Sequence, residues 1–353
     1  IAGSSVVLEL SGSGNDITQP VGVTGSDGVA TGHISSTIAE KKTLNANIDG
    51  IYKIDSHTVV IPEGDVSLTL SEMTSDKVTV TADGVDEADI PVRVKVSNVN
   101  PVWGCRVVLS ATDTGGGNDI TQPVGVTGSD GVATGTIRST VAELKTVSAT
   151  IDASAMVDEV EIDYVPGPVD LTVSGVSADK DTVTADGIDE ALVTVVVMDA
   201  EGNSIAGSSV VLELSGSGND ITQPVGVTGS DGVATGLVSS TIAETKTLKA
   251  KIDGSYMSDS LTVVFREGDV SLTLSEMTSD KVTVTADGVD EGEIPVRVLD
   301  SNGNPVSGSP VVLSASDTGG GDDVTQPVGV TGGDGVATGR MRSTVAELKT
   351  VSA

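Results

Sequence analysis

The chain has 353 residues, and its 51 acidic against 19 basic side chains leave a formal net charge of −32. That balance argues against nucleic acids and anionic membrane surfaces as partners, since binding them rests on Lys and Arg neutralising phosphates, and no apolar run reaches the roughly 18 residues that would let this segment insert in a bilayer. Only 1% of residues are aromatic and 37% are hydrophobic, so the core must come from Val, Leu, Ile and Ala, a β-branched mixture that favours strands over helices.

From the N-terminus onward the chain repeats itself. DITQPVGVTGSDGVATG begins at Asp16, Asp119 and Asp220, and DVTQPVGVTGGDGVATG begins at Asp323, so the unit is about 100 residues long. Alternate units are closer relatives. Residues 1–50 match residues 205–254 except at His33/Leu237, Ile34/Val238, Lys41/Thr245, Asn45/Lys249 and Asn47/Lys251, giving a paired period of 204 residues. The expected division is a partial domain at 1–62 without its N-terminal strands, domains at 63–166 and 167–266, and a domain at 267–353 without its last strand. Both ends fall inside a unit, so the chain reads as a window on a longer repetitive protein, with strand exchange between incomplete ends as the alternative.

The third unit shows the elements in order, with turn signals every 8–12 residues, the pattern of an all-β sandwich. VDLTVSG (169–175) and DTVTADG (181–187) are expected to form a split first strand. In ALVTVVVMD (191–199) the alternation places Val193, Val195 and Val197 on the buried face, as it does Ile294, Val296 and Val298 in the fourth unit. SSVVLELSG (208–216) points Val210, Leu212 and Leu214 inward, and ITQPVGVT (221–228), GVATGLVSST (232–241), TKTLKAKID (245–253) and SLTVVF (260–265) complete the unit. Asp231-Gly232 predicts a tight hairpin, DAEGN (199–203) a second turn with Gly202 in the left-handed region, and Thr241 to Glu244 a single capped helical turn.

The linkers are short and two carry proline: Ile61-Pro62-Glu63-Gly64, Pro166-Gly167-Pro168 and Phe265-Arg266-Glu267-Gly268. Such links limit bending, and sandwiches of ~35–40 Å joined this way predict an elongated rod.

Few residues suggest catalysis. His33 and His57 are replaced by Leu237 and Leu261 one paired period on, and both are expected to be exposed strand or loop residues. No histidine triad, zinc cluster or phosphate-binding loop occurs, and TGGGND (114–119) leads into a strand, not a helix. Cys105 is the sole cysteine, so no intrachain disulfide can form. It lies with Trp103 in KVSNVNPVWGCR (95–106), which differs at six of twelve positions from its sister LDSNGNPVSGSP (299–310), and Val99 replaces the turn glycine Gly303. No function is assigned to that stretch.

The remaining candidates are acids. The strand order should place Asp186, Asp189 and Glu190 at the lower end of the third unit, the linker acids Glu267 and Asp269 beside them, and Asp300 and Asp334 at the facing end of the fourth. Carboxylates from two domains and a linker are the hard oxygen ligands that Ca²⁺ prefers, so calcium bound at such junctions is one expectation and solvated turn acids the other.

TADGIDEALVTVVVMDAEGNSIAG (184–207), TGSDGVATG (228–236) and the SxxAE-K segment before the sixth strand resemble the group 1 bacterial Ig-like domains of intimin- and invasin-type adhesins. The resemblance covers essentially the whole chain. It departs at Ala39-Glu40, Ala142-Glu143, Ala243-Glu244 and Ala346-Glu347, where the family often has Ala-Gly. It implies tandem immunoglobulin-like β-sandwiches, a non-enzymatic stalk outside a bacterial cell, and neighbouring domains of the same longer chain as partners; it carries over no ligand-binding residues. Two other functions remain open: the repeat of an extracellular filament or sheath contacting other copies, and a spacer or sugar-binding module of a secreted enzyme. Five aromatics in 353 residues disfavour sugar binding.

Overall fold

A computed structural model describes residues 1–52, 55–316 and 319–353. Two compact units, Ile1–Gly167 and Pro168–Ala353, divide the chain, and every regular element among the described residues is a β-strand.

In the second unit, the third sandwich pairs two sheets. One holds Gly175–Ala178, Ala191–Val196, Val233–Ser240 and Asn219–Thr222, in that order; the other holds Thr182–Thr184, Leu261–Arg266, Thr245–Ile252 and Val210–Leu214. The first strand is therefore shared: its early part runs antiparallel in one sheet and its later part runs parallel to Leu261–Arg266 in the other. Val193, Val195 and Val197 are fully buried and meet Leu212, Leu248, Ile252, Val263 and Phe265 from the opposite sheet. Each such side chain contributes about 1.5–3 kcal/mol by leaving water, which lets sandwiches so poor in aromatics hold together.

The repeated ATG and TQP motifs serve the same packing. A Cβ on Gly236 would come within 2.5 Å of Thr222 O and 2.7 Å of Leu212 Cδ1, so only glycine lets the two sheets approach there. Gln223 accepts a hydrogen bond from Leu212 N at 2.7 Å and donates to Leu212 O at 2.8 Å, its carboxamide standing in for a strand neighbour.

The fourth sandwich, in the same unit, pairs Glu276–Met277, Gly292–Arg297, Val336–Ser343 and Asp322–Thr325 in one sheet and Ser314–Ala315 with Val351–Ser352 in the other. In the first unit, the second sandwich repeats the arrangement of the third, with Ile90, Val92, Ile137, Ile151 and Ile162 fully buried and the Tyr164 hydroxyl donating to Ile137 O at 2.8 Å. Residues 1–62 form a sheet of Val6–Leu10, Lys41–Ile48, Ile51–Tyr52 and His57–Val60, faced by the hairpin Asn15–Thr18/His33–Ser36.

Three local expectations are corrected and one holds. Residues 169–174 form a turn: Asp170 Oδ1 accepts Thr172 N at 2.7 Å and Val173 N at 3.1 Å, and the strand starts only at Gly175. Residues 221–228 do not form one strand; pairing runs from Asn219 to Thr222 and stops where Gln223 turns its side chain to Leu212 and Pro224 has no N–H. The tight turn at Asp231-Gly232 is as expected: Gly232 has a positive φ of 73° and its N–H donates to Gly229 O at 2.9 Å, while Gly229 N–H donates to Val233 O at 3.3 Å. Thr241 to Glu244 is a bend, not a helical turn, because Ser240 Oγ takes Ile242 N at 3.1 Å and the Glu244 carboxylate turns to Lys246.

Candidate functional site

A network of polar groups in the second unit lies where the third sandwich meets the fourth. Its centre is Asp300, wholly buried in the turn that Gly303 closes with a φ of 81°. Asp300 Oδ1 accepts the N–H groups of Asn302 at 2.9 Å and Asn304 at 2.8 Å, while Oδ2 accepts the linker N–H of Gly268 at 3.0 Å and Asn304 Nδ2 at 2.8 Å. Burial alone would raise this carboxyl, but the Gly268 N–H, the Asn304 side chain and the turn N–H groups outweigh it and hold it below the usual carboxylate range.

Asp300 in turn fixes two asparagines that reach the preceding sandwich. Asn304 Oδ1 accepts Ala243 N at 2.9 Å, Asn304 Nδ2 donates to Thr241 O at 3.0 Å, and Asn302 Nδ2 donates to Ala185 O at 3.1 Å. Linker Glu267 accepts both Ser307 Oγ at 2.7 Å and Ser307 N at 3.2 Å, bonds that keep its carboxyl low. The bend at Thr241 to Ala243 thus supplies main-chain groups to its neighbour, which a helical turn would have consumed internally.

Of the seven acids considered for calcium, only Asp300 and Glu267 act in this contact. Asp186 caps its own turn through Ile188 N at 2.7 Å and Asp189 N at 2.8 Å. Asp189 pairs with Lys180 at 2.6 Å and accepts Thr184 N at 2.9 Å, and both contacts hold its carboxyl low. Asp334 caps Val336 N at 3.0 Å, and Glu190 and Asp269 are exposed. Among the described residues no three His, Cys, Asp or Glu side chains are grouped to hold a metal ion.

The corresponding junction in the first unit is built differently. Asn100 still donates to Thr37 O, as Asn304 does to Thr241 O, but Val96 occupies the position of Asp300 and offers no acceptor to the linker. The turn itself persists through Val99 N donating to Val96 O at 2.9 Å, with Val99 forced to a φ of 58°. Trp103, 65% exposed, stands where Ser307 binds Glu267. Cys105 replaces the serine that its counterparts Ser4, Ser208 and Ser309 provide; its N–H keeps the bond to Thr127 Oγ1 at 3.0 Å, and burial pushes its thiol up, away from the thiolate a nucleophile needs. His33 and His57 are exposed at strand starts.

One repeated site escaped the sequence reading. Lys42, Lys145 and Lys246 have fully buried side chains, each paired with the glutamate two residues earlier at 2.5–2.6 Å. Lys246 also donates to Ser217 O at 2.9 Å and sits 5.9 Å from the Phe265 ring, as Lys145 does from Tyr164. Gly216 makes room for the pair, since a Cβ there would lie 2.2 Å from Glu244 Oε1. The signal is the Glu-x-Lys that follows each Ala, at the positions where the sequence departs from Ala-Gly.

The sequence model of the bacterial Ig-like domain (group 1) family matches residues 70–165, 173–265 and 274–353. The inverse autotransporter adhesin YeeJ of Escherichia coli (strain K12) is 26% identical over 319 residues, which are 87% of this chain but only 14% of that protein. Among solved structures, the FdeC adhesin of Escherichia coli is similar with a TM-score of 0.53 at 20% identity, over 80% of this chain and 91% of that one. InvD of Yersinia pseudotuberculosis follows with a TM-score of 0.52 at 20% identity, over 81% and 83%. At these identities the structural likeness carries the fold.

Proposed function

Because the chain belongs to the bacterial Ig-like domain (group 1) family, we propose that it is a structural, non-catalytic stalk segment of a bacterial surface adhesin, holding a binding region away from the cell. The observation that carries this reading is the Asp300 junction. Its polar groups are spent on joining one sandwich to the next, through Gly268, Asn302, Asn304, Ala243 and Thr241, and not on an open cleft. The adhesin YeeJ, 26% identical over most of this chain, supports the adhesin context.

Small-angle scattering of the purified chain, with calcium and with chelator, tests the proposal. The expected result is an elongated monomer with the same profile in both conditions, because Asp300 is already satisfied by N–H donors. Large ordered assemblies would favour the filament reading, and stiffening by calcium would restore metal-bridged junctions.

A further inference from the structure

The buried lysine of the fourth sandwich has a different partner from the other three. Where the first three sandwiches place Asn15, Asn118 and Asn219, the fourth has Asp322. Asn219 shows what the asparagine does: its Nδ2 donates to Leu214 O at 3.1 Å and Ser215 O at 3.2 Å, and Lys246 turns to Ser217 O and Glu244. An aspartate has no N–H for those carbonyls. In the fourth sandwich Lys349 Nζ lies 2.7 Å from Asp322 Oδ1, with side-chain exposures of only 8% and 6%, and it also contacts Glu347. Beyond that ion pair, no hydrogen bond among the described residues reaches either carboxylate oxygen of Asp322. Asp322 opens the strand Asp322–Thr325 of one sheet, and Lys349 leads into Val351–Ser352 of the other.

We propose that Lys349 and Asp322 condense into an isopeptide bond that ties the two sheets of the fourth sandwich together covalently, with Glu347 as the acid–base group. The Lys349 ammonium passes one proton to the Asp322 carboxylate, and the neutral amine so formed attacks Cγ of the neutral acid, its nitrogen then giving a second proton to the Glu347 carboxylate. A C–N bond forms, the Cγ–O bond breaks, and Glu347 returns its proton to the departing hydroxyl. One ammonium and one carboxylate become one amide and one water, no oxidant or reductant is consumed, and Glu347 ends as it began. Enclosure supplies what the reaction lacks in water, a fixed near-contact of the two groups and a site from which the product water is displaced. The bond is confined to the fourth sandwich, since the asparagine of the third is turned to main-chain carbonyls and its lysine faces Ser217 O.

The test is mass spectrometry of the full chain after denaturation and trypsin. The expected product is a branched peptide joining residues 298–340 to 343–353, lighter by one water than the two linear peptides together. It is absent from K349R and D322A and absent or strongly reduced in E347Q, with circular dichroism showing that E347Q remains folded. Recovery of only the linear peptides from folded wild-type chain overturns the proposal, and so does a branch that persists at full yield in folded E347Q or one lighter by ammonia at an asparagine.

Discussion

Val99 adopts a φ of 58° in the turn position that Gly303 fills at 81° in the sister sandwich. A β-branched side chain in the left-handed region is strained by about 1–2 kcal/mol, whereas glycine is not. V99G should therefore stabilise the second sandwich, by up to about 1 kcal/mol after the extra chain entropy of glycine is deducted. The converse change, G303V, should destabilise the fourth by about 1–3 kcal/mol. Urea unfolding of the two variants against the parent chain checks both signs, and equal effects of the two would contradict the strain.

Val96 and Asp300 provide a reciprocal exchange. D300V leaves the N–H groups of Gly268, Asn302 and Asn304 without their acceptor, for an expected loss of about 2–4 kcal/mol once water recovers part of it. V96D supplies an acceptor beside Gly64, whose position matches Gly268. Amide hydrogen exchange at the linkers is the direct readout: protection at Gly268 should fall in D300V, and protection at Gly64 should rise in V96D. An unchanged Gly268 amide in D300V would remove Asp300 from the centre of the junction.

The sandwich was legible because its signals are local. Val193, Val195 and Val197 alternate within one strand, and Gly202 closes a turn within five residues. The failures came where a side chain competed with the backbone. Asp170 captures two N–H groups and delays the first strand to Gly175, and Gln223 replaces a strand neighbour that its own segment was expected to be. The junction was half visible. Strand order placed Asp300 opposite the end containing Asp186, but nothing in the sequence shows that Asn302 reaches Ala185, 117 positions away, while Asp186 turns back to its own loop. The lysines were missed for a related reason. Glu-x-Lys on a strand reads as a solvated face, and only packing against Phe265 or Tyr164 reveals that the ammonium is inside.

The buried pair should respond unequally to loss of either partner. K246M removes the buried charge, leaves Glu244 partly in water and orphans Ser217 O, at a cost of about 1–2 kcal/mol. E244Q keeps a hydrogen-bond acceptor but strands a fully buried ammonium without its counter-charge, at about 2–4 kcal/mol. Chemical unfolding of the two single variants and the K246M/E244Q double decides the matter. The double should recover part of the E244Q loss, and strict additivity would mean that the pair does not interact.

Acid should loosen the Asp300 junction before it unfolds the sandwiches. The folded-state carboxyl of Asp300 titrates below its ordinary value, because the hydrogen bonds from Gly268, Asn304 and Asn302 outweigh burial. The unfolded chain therefore takes up a proton first as pH falls. The stabilisation is fully present above the ordinary aspartate pKa of roughly 4, and it is lost as pH drops towards and through the depressed folded value. Protonation at Oδ2 puts a hydrogen where Gly268 N and Asn304 Nδ2 donate and breaks one of those two bonds. Exchange at Gly268, corrected for the intrinsic acid dependence of amide exchange, should accelerate in that window in the parent chain, while in D300V it should already be fast and show no such step. A step of equal size in D300V would assign the acid response to some other carboxylate.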